Sequence, residues 1–458
     1  MTSRLREAAA PAYLFLCLII GGSSQGIWAN MLLQLLGLLL LVWAALASPE
    51  TSPSSRQQRQ LLGLVILGLV VVAIQLIPLA PGLWEALGPR RLIATGYAVL
   101  GTPAPWLPLS VAPYDTLTTV FALIPALGML AACLRIGCRP LWLVIALVTG
   151  TLCGILLGAL QVSSPDPLTS HWYLYEDTNF GVATGFFANA NHMADLLVIT
   201  MPFLAAVLAS VRRDGRNVQR YSAVVALVAG AALVIAVGIA LNGSLAGYGL
   251  AIPVLIASAA IVLPDRNRSM RWLAPAAGLL LIAAVGWLAT TPLSSGAALR
   301  ANATTSVQSR QEIASLSAKA AWDFMPLGSG VGTFQRVYAL YEDHDRLDTS
   351  TYVNHAHNDY LEIALETGVP GLVVLALFLM WWARAAWRVW RATDVDPFAR
   401  AAAVASAAVL VHSLVDFPLR TAAIGTCFAL CLSLLVRQRA APAPEKSDLW
   451  STRHVVIG

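Results

Sequence analysis

Charge is scarce in this chain. Only 12% of its 458 residues are Asp, Glu, Lys or Arg, 58% are hydrophobic, and the mean hydropathy is +0.70. Soluble domains carry about 25% charged residues, so the composition is that of a polytopic membrane protein. A cysteine framework is also lacking. The six cysteines (17, 133, 138, 153, 427 and 431) fall in or at the edge of apolar runs, with no Cys-x-x-Cys, and are read as small apolar residues. No internal repeat is visible, and the two halves do not mirror each other, which counts against an inverted-repeat transporter. The apolar runs hold almost no ionisable residues away from their ends, where an ion-coupled carrier would need them.

What is present is a series of apolar runs near 20 residues long, the length that crosses a bilayer as a helix. About twelve spans are expected, at 12–27, 28–48, 60–80, 116–135, 140–161, 193–211, 221–241, 246–264, 272–290, 368–390, 398–415 and 421–436. Arg4 and Arg6 before the first run give it the look of a signal peptide, but no clean cleavage site follows, and it is read as an uncleaved first helix. Basic residues fix the expected orientation. With both termini in the cytoplasm, every cytoplasmic segment is basic: Arg4/Arg6, Arg56/Arg59, Arg135/Arg139, Arg212/Arg213/Arg216/Arg220, Arg266/Arg268/Arg271, Arg384/Arg388/Arg391 and Arg437/Arg439. The net charge of +5 is therefore mostly topology, and no nucleic-acid partner is expected.

The expected organisation is transmembrane helices 1–9 over 1–290, an outer loop over 291–367, helices 10–12 over 368–437, and a disordered cytoplasmic tail at 438–458. The loop 291–367 is expected to be the only extramembrane piece large enough to hold structure. Within it, residues 305–324 fit an amphipathic helix with Ile313, Leu316, Ala320 and Phe324 on one stripe, capped by Thr304 or Thr305. A turn-rich connector follows, Pro326-Leu-Gly-Ser-Gly-Val-Gly-Thr-Phe334, and then a second helix over 334–342. The loop ends in a polar, His-rich stretch, Asn354-His-Ala-His-Asn-Asp359, that runs straight into an apolar helix. Asn358 or Asp359 is placed to cap that helix, with Glu362 three residues past Asp359. A titratable His at a membrane surface, beside Asn and Asp, suits proton transfer.

The sequence His357-Asn358, nine residues, then Gly368-x-x-Gly371 resembles the signature of the O-antigen ligase and polysaccharide polymerase superfamily. Arg310 opening a helix, the Pro326–Phe334 connector, Phe187-Ala-Asn-Ala-Asn-His192, and His412-Ser-Leu-Val-Asp-Phe-Pro-Leu419 are similar to further elements of that family. The resemblance implies an all-α, C-type glycosyltransferase-like membrane fold in the bacterial inner membrane, with a periplasmic active site. It implies transfer, with inversion, of a glycan from undecaprenyl diphosphate to a sugar hydroxyl, without metal or cofactor. The acceptor would be a lipid-linked glycan in a polymerase or lipid A core in a ligase. A chain-length regulator or flippase would be the protein partner. The family's His falls on His357 and its loop Arg on Arg310. The family's Ser-Arg-x-Gly element reads Ser244-Leu245-Ala246-Gly247 here, so its Arg is missing and another cation must serve.

The chemistry asks for cations and N–H donors where a diphosphate leaves and for a base near the acceptor hydroxyl. His357 and Arg310 are the expected catalytic pair. Substrate-binding candidates are Asn358, whose helix N-terminus carries free N–H groups, His355, Asn189, Asn191, His192 and Asp416, and the arginines Arg90, Arg91, Arg300, Arg336 and Arg420. Each has a plainer reading as cap, packing residue or interfacial charge. His412 and Asp416, one turn apart, are a possible orienting pair. Gly328-x-Gly-x-Gly332 reads as a turn, because it lacks the Lys-Ser/Thr of a phosphate loop. Two other functions stay open: a transporter or flippase, and a metalloenzyme built on His355-x-His357-x-Asp359.

Overall fold

The computed structural model describes residues 3–24, 26–47, 55–214, 218–263, 297–342 and 353–437, with the side chains of 3, 214 and 297–309 left outside. The expected span 272–290, the tail 438–458, and Arg216, Arg266, Arg268, Arg271 and Arg439 lie outside the described residues.

Among the described residues the chain is helical apart from one two-residue ladder and an isolated bridge between Gly22 and Phe187. In order the helices are α1 (Ser3–Ile20), α2 (Trp28–Leu46), α3 (Arg56–Gln75), α4 (Pro81–Glu85), α5 (Arg90–Val99), α6 (Pro113–Ala131), α7 (Pro140–Val162), α8 (Ala190–Asp214), α9 (Val218–Asn242) and α10 (Leu245–Val262). They continue with α11 (Ala297–Asp323), α12 (Phe334–Tyr338), α13 (Asp359–Arg391), α14 (Pro397–His412) and α15 (Ala422–Val436). The ladder pairs β1 (Pro78–Leu79) with β2 (Leu107–Pro108), antiparallel. Every expected span except 272–290 overlaps one of these helices, although α1 starts and ends earlier than the expected span 12–27. Eight helices among the described residues are long and apolar enough to cross a membrane, and α14 and α15 are shorter apolar helices.

Burial sorts the helices into inner and outer. α8 packs against α9, α10 and α14, and 67% of its most apolar stretch is buried, against 11% for α9 and 6% for α3. α9 and α3 show Leu227, Leu233, Ile66 and Val70 to their surroundings, as helices facing lipid do. α14 is alanine-rich and buried along nearly its whole length. Small side chains let helix backbones approach closely where hydrocarbon gives no hydrophobic drive to associate. α2 and α6 show the same device: a Cβ on Gly128 would lie 2.7 Å from the Gly37 carbonyl oxygen.

Three expectations about the outer loops are corrected. First, residues 76–112 also hold structure, namely α4, α5 and the ladder. Trp84 and Arg90 are buried there because they bond carbonyls: Trp84 Nε1 donates to Pro108 O at 2.8 Å. Second, the amphipathic helix runs over 297–323, so Thr304 and Thr305 lie inside it rather than capping it, and Arg310 sits mid-helix. Third, the second helix is only the five-residue α12. The predicted stripe does form a core: Ala320 and Phe324 pack with Phe334, Val337, Tyr338 and Leu365, flanked by Ile313 and Leu316.

α13 is two helices joined at a break. Gly368 has φ 58° and ψ −150°, a region open essentially only to glycine. Pro370 has no N–H to close the helical bond to Glu366 O, and Val369 N turns away to Pro326 O at 2.8 Å. The freed carbonyls are taken by the connector and α3. Ser329 N donates to Leu365 O at 2.9 Å, Gly330 N to Glu366 O at 2.9 Å, and Gln75 Nε2 to Glu366 O at 2.9 Å. The glycine connector is thus the turn the sequence suggested, fitted to the break in α13. A Cβ on Gly368 would lie 2.2 Å from Pro326 O. Gly368→Ala is expected to cost at least about 1–3 kcal/mol, read as a lowered Tm in detergent with the apolar helices retained by circular dichroism.

Candidate functional site

The polar residues gather at one end of the bundle. α8, α13 and α15 begin there, at Ala190, Asp359 and Ala422, while α9 and α14 end there, at Asn242 and His412. The same helices carry Arg212, Arg213, Arg220, Arg388 and Arg391 toward their opposite ends. The site is built on the loop 413–421 between α14 and α15, which inserts Asp416 and Phe417 among residues from four other segments.

Asp416 has no exposure. Its Oδ1 lies 3.2 Å from His357 Nδ1 and accepts from Phe417 N at 3.0 Å. Its Oδ2 accepts from Asn191 Nδ2 and lies 3.8 Å from an Arg310 guanidinium nitrogen. Burial alone would push the carboxyl up, but the hydrogen bond and charge of His357, with Arg310 and His192, hold it well below the usual carboxylate range. Asp416 is therefore an anion that accepts from His357 Nδ1–H. That choice of tautomer leaves Nε2 as the basic atom of the ring. The His357 side chain is 24% exposed, so the ring links a buried anion to the outer surface. His357 also has φ 48°, a left-handed conformation uncommon outside glycine.

Asn191 extends the network. Its Oδ1 accepts from Ser244 Oγ at 2.7 Å, and Ser244 Oγ in turn caps α10 by accepting from Gly247 N at 3.1 Å. Ser244 thus stands one bond removed from Asp416. The Phe417 ring centre lies 4.2 Å from that of His355 and 5.0 Å from those of His192 and His357. Asn189 caps the start of α8 by accepting from Asn191 N at 2.8 Å.

The remaining candidates are placed differently. His355 turns from His357 to Glu362, with Nδ1 to Oε1 at 2.9 Å. Asn358 is the cap of α13, accepting from Leu361 N at 3.0 Å, while Asp359 N donates to Ser413 O at 2.9 Å. The helix N-terminus expected to present free donors is therefore largely closed. His412 and Asp416 do not pair through their side chains. His412 Nδ1 lies 2.7 Å from Asp195 Oδ1, both side chains buried. His355, His357 and Asp359 face three different partners, and no group of three potential metal ligands converges among the described residues.

The arginines divide sharply. Arg420 is a structural cation: Nε is 3.5 Å from Asp359 Oδ1, and Nη2 is 3.2 Å from Glu362 Oε1 and 3.3 Å from Glu366 Oε2. Burial opposes its charge, but these carboxylates raise its pKa above the ordinary value. Arg90 is 1% exposed and donates to Leu109 O at 2.6 Å and Gly328 O at 2.7 Å. Burial pulls its pKa down to about 10. It clamps the connector and is not available to a diphosphate. Arg336 is exposed and paired with Asp115 at 3.1 Å, and Arg91 is exposed on α5. The Arg300 side chain lies outside the described residues. Only Arg310 is brought to His357 and Asp416 among the described arginine side chains.

Sequence reasoning missed the acidic row Asp359, Glu362 and Glu366. Their i, i+3, i+7 spacing puts them on one helix face, where burial demands a cation. It also missed Asp195, an ionisable residue inside an apolar run, for which a partner is the default expectation.

Residues 230–376 match the sequence profile of the family described as O-antigen ligase. This bears out the resemblance to the O-antigen ligase and polymerase superfamily over that part of the chain. No curated protein matches the chain. The matched segment carries Ser244, Arg310, His355, His357 and Asn358. Asn191 and Asp416 lie outside it and reach the site only through the fold.

Removing one partner from a buried ion cluster strands the other charges and costs about 3–5 kcal/mol. Arg420→Gln should therefore lower Tm severely or prevent recovery of folded protein. A well-folded Arg420→Gln enzyme whose only defect is a raised donor KM would instead make Arg420 a substrate ligand.

Proposed function

Proceeding from the O-antigen ligase domain at residues 230–376, we propose that this protein transfers an undecaprenyl-diphosphate-linked oligosaccharide, with inversion, to a sugar hydroxyl at the periplasmic membrane face. The observation that carries this reading is the His357–Asp416 pair at the end of the bundle opposite the arginine clusters. The acceptor oxygen attacks the anomeric carbon as its proton passes to His357 Nε2. The bond from that carbon to the diphosphate breaks, and undecaprenyl diphosphate leaves with the electron pair. Asp416, an anion throughout, orients the ring and stabilises the imidazolium that forms. Arg310 stands at the same carboxylate and supplies the permanent charge for the departing diphosphate. Ser244 shares that network through Asn191. Arg310 thus takes over at the place where the family's Ser-Arg-x-Gly has lost its Arg to Leu245.

The favoured version is a polymerase, in which the acceptor is another lipid-linked repeat. The family description favours the second version, a ligase that moves the glycan onto lipid A core. Neither version requires metal or nucleotide from the residues named. A transporter is disfavoured because Asp195–His412, Asp416 and the Arg420 cluster lie at one end of the bundle instead of lining a path through it.

Purified protein mixed with an undecaprenyl-diphosphate oligosaccharide alone should yield a ladder of longer glycans, read by gel or mass spectrometry. A ladder only on addition of lipid A core would make it a ligase, and no product with either acceptor would remove the transferase reading. His357→Ala should lower turnover by about 10²–10⁴-fold without unfolding the protein. Arg310→Ala should weaken use of the donor and leave the acceptor KM unchanged. Unaltered donor kinetics would make Arg310 a bystander.

A further inference from the structure

At the bundle end away from His357, a cavity of about 710 Å³ opens between the start of α3 and the last turns of α13. Its rim is cationic, with Arg56 from α3 and Arg384 and Arg388 from α13, and its floor is apolar, with Leu64, Leu67 and Leu377. No carboxylate lines it, and all three arginines are exposed. Trp381 also lines it. That side chain is 5% exposed, and its Nε1 is buried without an acceptor. A buried indole N–H left unpaired is costly and uncommon, unless something that enters the cavity accepts from it.

We propose that this cavity is a binding site for an anionic glycerophospholipid of the surrounding leaflet. Three arginines at a helix-end level match a headgroup phosphate through charge-assisted hydrogen bonds. The leucine floor runs from that level into the bundle's apolar zone, where an acyl chain would lie. Trp381 Nε1 is placed to donate to a phosphate or ester oxygen, the polar handle that suits tryptophan to this depth. α3 packs chiefly on α13 and is otherwise exposed, so a lipid wedged between them acts as a further fastening for α3. The site depends on the membrane-spanning reading of the bundle and is independent of the transfer chemistry.

The test is thermal unfolding of the full chain in detergent, titrated with phosphatidylglycerol, with phosphatidylcholine and with inorganic phosphate. Phosphatidylglycerol should raise Tm saturably, and the other two should not. The shift should vanish in the triple variant R56Q/R384Q/R388Q, and Trp381→Phe should weaken the apparent affinity about tenfold. Gly63 lines the cavity, and a Cβ there would meet nothing within 4 Å. Gly63→Met therefore puts a side chain into the space with every arginine kept and should weaken the lipid shift without lowering the basal Tm. An equal shift with phosphatidylcholine would leave only an apolar crevice. An equal shift with phosphate would mean a free-anion site. A phosphatidylglycerol shift retained in both Gly63→Met and the triple variant would place the lipid elsewhere. Each of these would overturn the proposal. So would a shift that appears only after residues 438–458 are deleted, since the occupant would then be the chain's own tail.

Discussion

A carboxylate removed from water must be surrounded by donors and cations, or it will not remain ionised. Asp416 has no exposure, and the site follows from how that demand is met. His357 gives an N–H, Asn191 an amide, Phe417 a backbone N–H and Arg310 a full charge. These donors come from segments far apart in the chain, so the carboxylate can be satisfied only when α8, α11, α13 and the 413–421 loop have assembled. The same loop solves the reverse problem four residues on. Arg420, a half-buried cation, pairs with three buried acids on α13. Two charges of opposite sign, four positions apart, hold the loop against α8 on one side and α13 on the other.

The break in α13 is what makes room for this. A helix continuing unbroken through Gly368 would keep its own carbonyl bonds and offer the connector nothing to hold. With Gly368 turned and Pro370 lacking an N–H, the Leu365 and Glu366 carbonyls bind Ser329, Gly330 and Gln75. Glu366 binds at both levels: its Oε1 accepts from Gly332 N at 2.8 Å, and its Oε2 meets Arg420. The segment that carries Arg310 is therefore tied, through a single glutamate, to the cation that fixes the Asp416 loop. Position at the site is transmitted by backbone and charge more than by apolar packing. That suits a region at the edge of the bilayer, where hydrophobic burial gives least.

Much of this was legible in the residues, and the parts that were not share a cause. Apolar length alone placed the helices, because a bilayer imposes that length whatever the neighbours are. His357, Arg310, Asn191 and Asp416 were legible as types in motifs. What each arginine does was not. Arg90, Arg420 and Arg310 look alike as letters, yet one clamps carbonyls, one neutralises acids and one stays a third exposed beside the site. The difference lies in partners 19 to 238 positions away, which no local pattern reports. The acidic row on α13 held a usable hint. Three acids on one face of a helix entering the membrane need a cation of equal depth, and Arg420 was the basic residue of the only short outer loop nearby. The helix of 297–323 misled for the opposite reason. Thr304 and Thr305 have the look of caps, yet they lie inside the helix.

The two ends of the bundle pose different electrostatic problems, and the protein solves them differently. At the His357 end the charges are buried and matched pair by pair, so each has a fixed direction and a fixed partner. Such preorganised charges can act on a transition state without first rearranging. At the other end most of the arginines are exposed and clustered with few acids; Arg139–Glu7 at 2.9 Å is one pair among them. Surface cations at a membrane interface attract anionic headgroups over about a Debye length, and they orient the chain without needing exact geometry. One end of each long helix is thus set by specific bonds and the other by a diffuse field. It follows that the His357 end should tolerate little substitution of its charged residues, whereas the arginine end can exchange one cation for another wherever no cavity such as that under Trp381 gives them a defined shape to serve.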